Sequence, residues 1–263
     1  MKKIMYCIAL IATAASLTLF VSNLSASDSD DTIVLASENS YVFKTYLKND
    51  DIQVKSYDGV VTLTGTVSEE SSKSLAEETV VSLNGVKSVE NKLEIKGKAP
   101  DAYSDAWLIT KVKTTLFFHR NVNAMATEVL SENGIITLRG DADSEAQKSL
   151  TAEYAKDVDG VKNIKNEITV LNPMMKKSEK NIGQTLSAMS EAIDDASITA
   201  LVKTALLYHR STSAIKTTVE TKDGVVTLGG IAGNAAEKDL VSKFANDVHG
   251  VKDVVNNMQV TVK

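Results

Sequence analysis

The chain has 263 residues, with 29 Lys and Arg against 34 Asp and Glu, a formal net charge of −5, and one cysteine, Cys7. A negative balance excludes the basic footprint of a nucleic-acid partner, and a single cysteine excludes a disulfide framework and a thiolate metal site. Apolar packing alone must hold the fold.

Residues 1–26 have the parts of a secretory signal: Lys2 and Lys3, an apolar run from Ile4 to Val21, then Leu24-Ser25-Ala26. Cleavage is expected after Ala26, with an uncleaved anchor as the alternative because Leu24 is large for its place. Cys7 lies early in the apolar run, not at its end, so no lipid-modified cysteine is expected. Without Lys2 and Lys3 the chain keeps 27 basic residues against 34 acidic ones. No later stretch is apolar for long enough to span a bilayer, and a water-soluble, exported chain is expected. Residues 27–37 read as a flexible N-terminus.

The glycines then reveal a repeat. Gly59, Gly65 and Gly85 are six and twenty residues apart, and Gly134, Gly140, Gly160 and Gly224, Gly230, Gly250 repeat both gaps. Val60-Val61-Thr62-Leu63-Thr64-Gly65 matches Ile135-Ile136-Thr137-Leu138-Arg139-Gly140 and Val225-Val226-Thr227-Leu228-Gly229-Gly230. In each copy apolar residues alternate with threonine, the period of a half-buried strand. The preceding Asp58-Gly59, Asn133-Gly134 and Asp223-Gly224 are hairpin turn pairs, so an earlier strand is expected at Ile52 to Ser56, Ala126 to Leu130 and Lys216 to Glu220.

A helix follows, opened by the capping boxes Ser144-x-x-Gln147 and Asn234-x-x-Glu237 in the later copies. Its apolar stripe is Leu75, Val80, Leu83, then Leu150, Tyr154, Ala155, Val158, then Leu240, Phe244, Ala245, Val248. Gly85, Gly160 and Gly250 stop it, and a last strand with Val89, Leu93, Ile95 and their counterparts closes the unit. Another helix precedes each hairpin, with Leu108, Val112, Thr115, Leu116, His119 on one face and Ile198, Val202, Ala205, Leu206, His209 repeating it ninety residues later. The expected fold class is α+β: three tandem αββαβ modules, each a three-stranded sheet with two helices. The boundaries are 38–98 for a shortened module 1, 101–171 for module 2 and 194–263 for module 3. The linker 172–193 carries Ile182, Leu186, Met189 and Ile193 at helical spacing.

These segments together resemble the BON family, named for bacterial osmotically inducible and nodulation proteins, over about 200 residues in three copies. The resemblance implies a periplasmic, stress-related, non-catalytic protein that binds phospholipid surfaces or exposed segments of envelope proteins. A chaperone holding unfolded envelope proteins and a scaffold for protein partners stand beside the lipid reading. No cofactor, small-molecule substrate or nucleic acid is implied, and oligomeric state is left open.

Candidate lipid contacts are Trp107, Lys111, Lys113, Phe117, Phe118, His119 and Arg120, with His209 and Arg210 repeating the last pair. Aromatic and basic residues on one helix are what a bilayer surface takes up, and an Arg can fork onto a phosphate. The bland alternative is that His completes the apolar stripe and that cations suit a helix C-terminus. The two histidines, in different modules and without an aligned Asp or Cys nearby, do not make a metal site. Lys176, Lys177 and Lys180 in the linker read as a solvated face. Glu69-Glu70 and Asp194-Asp195 read as favourable charges at helix starts, and the nine glycines as turns and helix stops, not phosphate loops.

Overall fold

Three βαβ-closed hairpins form the sheets in the computed structural model, which describes residues 28–97, 100–171, 193–212 and 216–261. In module 1, helix α1 (28–39) and the short α2 (Tyr41–Thr45) lead into strands β1 (Asp51–Tyr57) and β2 (Val60–Val67), then helix α3 (Glu70–Val81) and strand β3 (Ser88–Ile95). Module 2 has α4 (Asp105–Phe118), β4 (Thr127–Glu132), β5 (Ile135–Ala142) and α5 (Glu145–Lys156). Its last strand is split into β6 (Asn163–Asn166) and β7 (Thr169–Val170). Module 3 repeats this with α6 (Asp195–Tyr208), β8 (Thr217–Lys222), β9 (Val225–Ala232), α7 (Ala235–Asn246), β10 (Asp253–Asn256) and β11 (Gln259–Val260).

The middle strand of each sheet pairs antiparallel with the first and parallel with the last, as in Val54↔Leu63 and Leu63↔Asn91. One face of it is buried, through Val61 and Leu63, Ile136 and Leu138, and Val226 and Leu228. Asp58, Asn133 and Asp223 have φ between 50° and 54° and are followed by glycines near 80°, the two positive values of a type I′ turn. The capping boxes form: Gln147 N–H donates to Ser144 Oγ at 3.1 Å and Glu237 N–H to Asn234 Oδ1 at 2.8 Å.

Module 1 differs from its expected outline. The segment 27–37, expected to be flexible, is helical from residue 28, so the module begins before residue 38. It is not shortened, because Asp30 to Gly59 spans the same 29 residues as Asp105 to Gly134 and Asp195 to Gly224. Its apolar stripe is interrupted where Ser37 and Ser40 are buried, and Ser37 Oγ donates to the Ile33 carbonyl at 2.8 Å. A self-satisfied serine packs like an apolar residue while hiding the helical period.

The middle glycines play a different part from the turns and helix stops expected of them. Gly65, Gly140 and Gly230 neither turn a hairpin nor stop a helix, but lie inside β2, β5 and β9 at φ of 103° to 125°. A Cβ there would come within 2.0 Å of the Asp51, Ala126 or Lys216 carbonyl oxygen, so only glycine lets the first strand start against the middle one.

The modules share one apolar core, as expected of units too small to bury enough surface alone. Module 1 docks on module 3 through α3 and α6, with Lys203 Nζ 2.9 Å from Glu78 Oε2 and Tyr41 N–H donating to Asp194 Oδ2 at 2.8 Å. Tyr46 also sets its ring edge on Phe117 of module 2 at 4.9 Å. The linker helix and the Lys176, Lys177, Lys180 cluster expected in 172–193 lie, except for Ile193, outside the described residues, as does the signal segment.

Candidate functional site at the module 2–module 3 interface

Helices α4 and α6 both end by turning extended at a histidine, His119 with ψ 127° and His209 with ψ 119°. The extended backbone lets each end pair with the other module: His119 bridges Val248 and His209 bridges Val158. Arg120 N–H donates to the Asp247 carbonyl and Arg210 N–H to the Asp157 carbonyl, both at 2.9 Å, and His249 N–H donates to the Phe118 carbonyl at 3.3 Å. The two modules are thus related by a pseudo-two-fold, and the histidines sit on it.

Both imidazoles are 1 % exposed. His119 stacks on Tyr154 of its own module at 3.9 Å and His209 on Phe244 of its own at 3.8 Å. Their Nε2 atoms meet at 2.9 Å. His209 Nδ1 lies 3.2 Å from Asp157 Oδ2 and His119 Nδ1 lies 3.5 Å from Asp247 Oδ2, so each ring faces a carboxylate of the other module. Tyr154 Oη donates to Asp247 Oδ2 at 2.6 Å, where module 3 has Phe244 and no hydroxyl. Asn121 adds a donor to Asp247, and Ser211 adds one to Asp157.

Burial pushes both imidazoles below the ordinary histidine value of 6.5, against the attraction of Asp247 on His119 and of Asp157 on His209. Burial disfavours charge on Asp157 and Asp247 as well. There the hydrogen bonds of His209 and Ser211, and the contacts of His119 and Tyr154, outweigh it and hold both carboxyls below the usual range. Desolvation first, then the bond to Asp247, pushes the Tyr154 phenol far up.

The structure therefore corrects three of the expected lipid contacts. His119, His209 and Phe118 are buried between modules and face no membrane. Lys111 Nζ lies 5.3 Å from the Trp107 ring centre and 3.9 Å from that of Tyr208, half-buried, with burial lowering its pKa against Glu69 and Glu70. Trp107 also packs on Tyr103 at 5.1 Å. Arg120 Nη1 donates to the Val251 carbonyl at 2.7 Å and Arg210 Nε is 3.7 Å from Asp157. Of the set, Lys113 and Phe117 stay on the surface away from these partners, beside the exposed Met125.

The histidines, taken as lone in the sequence, are brought together with two aspartates that do align: Asp157 and Asp247 each follow their histidine by 38 residues. That recurrence was the available signal. A second set was also missed. Asp30, Asp105 and Asp195 accept the turn amides of Asp58 and Gly59, Asn133 and Gly134, and Asp223 and Gly224, and so tie the first helix to the hairpin. These bonds hold the Asp30 and Asp105 carboxyls below their ordinary range, the Ser56 and Ser131 hydroxyls contributing most. Among the described residues no group of three His, Cys, Asp or Glu is placed to hold a metal, and no helix is long and apolar enough to cross a membrane.

The chain is 28 % identical to the osmotically-inducible protein Y of Escherichia coli over 162 residues, 62 % of this chain and 75 % of that protein. It is 31 % identical to the outer membrane lipoprotein DolP of Haemophilus influenzae over 138 residues, 51 % of this chain and 71 % of that one. The model of the BON domain matches residues 29–97, 104–172 and 194–262, one match on each αββαβ unit. With most of its length in three such matches, the chain belongs to the BON-domain family.

Proposed function

We propose that this is a non-catalytic periplasmic protein of the envelope and osmotic-stress response, whose second module binds anionic phospholipid surfaces. The names of its relatives, one osmotically inducible and one an outer-membrane lipoprotein, support the setting. The observation that carries the binding reading is Met125, 79 % exposed, lining one groove with Lys113 and the 37 % exposed Phe117. An apolar tip beside a cation suits the headgroup boundary, where the tip enters and the ammonium stays with phosphate.

Co-sedimentation of the secreted protein with vesicles containing phosphatidylglycerol, against purely zwitterionic ones, tests this. Binding only to the anionic set is expected, with Lys113→Gln weakening it about fivefold, from ~1 kcal/mol per basic residue near a charged surface. Equal binding of the native protein and the Lys113→Gln variant removes this face. A holdase reading has its own support in a neighbouring groove of about 860 Å³ between the three modules, lined by Tyr41, Tyr46, Phe117, Val122, Met125 and Ile198. A protein that ignores anionic vesicles at low salt yet suppresses aggregation of an unfolded client would favour it.

A further inference from the structure

We propose that His119 and His209 form an acid-operated latch between modules 2 and 3, closed while both rings are neutral and opened when both take up a proton. One buried line of proton sites runs from Asp157 through His209 and His119 to Asp247. A carboxylate only accepts, so His209 donates from Nδ1 to Asp157, and its Nε2 must accept. The proton in the 2.9 Å contact then belongs to His119 Nε2. This leaves His119 Nδ1 bare, buried and without a hydrogen bond, 3.5 Å from Asp247.

One proton can enter at that bare nitrogen and face the Asp247 carboxylate. A second has only His209 Nε2, which already accepts. Protonated there, two cationic rings would aim N–H groups at one another across 2.9 Å, and the contact must break. The charges around the pair set the order: Asp157 and Asp247 favour the first proton, whereas His249 beside His119 and the guanidinium groups of Arg120 and Arg210 oppose the second. Tyr154 remains a neutral donor, and Glu153 with Lys243, 2.6 Å apart across the rim, sum to no net charge.

Module 1 lacks the device. Lys44 follows Asp30 by the same fourteen residues that separate Asp105 from His119, and Thr79 and Ser82 stand at the places of Tyr154 and Asp157. Opening separates modules that stay covalently tethered through residues 172–192. It uncovers Tyr154, Phe244, Val158 and Val248, each at most 1 % exposed when closed.

In the opened form both imidazoles are solvated and titrate near 6.5, while in the closed form burial holds them lower. The closed state is therefore fully favoured above about 6.5 and loses ground as pH falls from there towards the closed-state values. For two protons the opening constant rises up to about a hundredfold between pH 7.5 and 5.5.

Amide exchange of the secreted protein by NMR tests the latch at Arg120, Arg210 and His249, whose N–H groups bond across the interface. Corrected for intrinsic rates, their protection is expected to fall tenfold or more between pH 7.5 and 5.5 and to return on neutralisation. Leu138 and Leu228 in the middle strands keep theirs, and small-angle scattering shows a larger radius of gyration. His249→Gln should keep the transition, and His119→Gln with His209→Gln should abolish it. Unchanged protection at the three amides down to pH 5, or the same transition in the double variant, overturns the proposal. Should the double variant fail to close at neutral pH, imidazole carbon shifts of the native protein decide. Coupled titration below 6.5 supports the latch, and independent titration at or above 6.5 refutes it.

Discussion

At the scale of single residues, one difference between the two halves of the interface is a hydroxyl, present on Tyr154 and absent from Phe244. Tyr154→Phe converts the module 2 site into the arrangement module 3 already has at Phe244, so nothing is strained, but a buried donor to a carboxylate is lost. Stability should fall by about 1.5–3 kcal/mol in a denaturant titration, the usual worth of a hydrogen bond to a charged group. Gly140→Ala acts through the backbone instead: the new Cβ meets the Ala126 carbonyl oxygen at 1.9 Å and φ is 125°. A loss of about 3 kcal/mol is expected, read as a lower denaturation midpoint. In the sequence this glycine looks like any turn glycine. That it lies inside a strand follows only from the first strand's carbonyl arriving on top of it.

At the scale of elements, α4 has three faces at once. Leu108, Val112 and Leu116 pack on its own sheet, Phe118 lies in the core between Tyr46 of module 1 and Tyr208 of module 3, and Lys113 and Phe117 meet solvent. Phe118→Ala should cost about 3–5 kcal/mol by thermal or chemical unfolding, as for any large buried ring, which makes it unfit as a probe of lipid contact. By contrast Lys203→Met, at the half-exposed ion pair with Glu78, should change stability by less than about 1 kcal/mol. The hydrophobic period of α4 and α6 was readable because Leu108, Val112 and Leu116, and likewise Ile198, Val202 and Leu206, recur every four residues. The period of α1 was not, since buried Ser37 stands in it and buried Ser40 follows it, and the recurrence of Asp30 with Asp105 and Asp195 was the surer guide to its position.

At the scale of the whole molecule, the three modules stand as a unit because each supplies a wall to the others. Residues 100–171 expressed alone would expose His119, Tyr154 and Val158, and should melt at a lower temperature than the same module in the full chain, seen by circular dichroism of both. The pH dependence belongs to this scale too. It arises from no single histidine but from two modules that bring their rings within hydrogen-bond reach.

The sequence by itself determined the repeat, the αββαβ order and the hairpin turns, because turn chemistry and a period of two or 3.6 are local properties that a few neighbouring residues impose. Only the tertiary structure decided that His119 and His209, ninety residues apart, touch, that Asp157 and Asp247 cross over to them, and that Phe118 is buried while Phe117 is not. Those facts depend on how one module lies against another, and that is set by the summed fit of many side chains across a surface, which has no period along the chain.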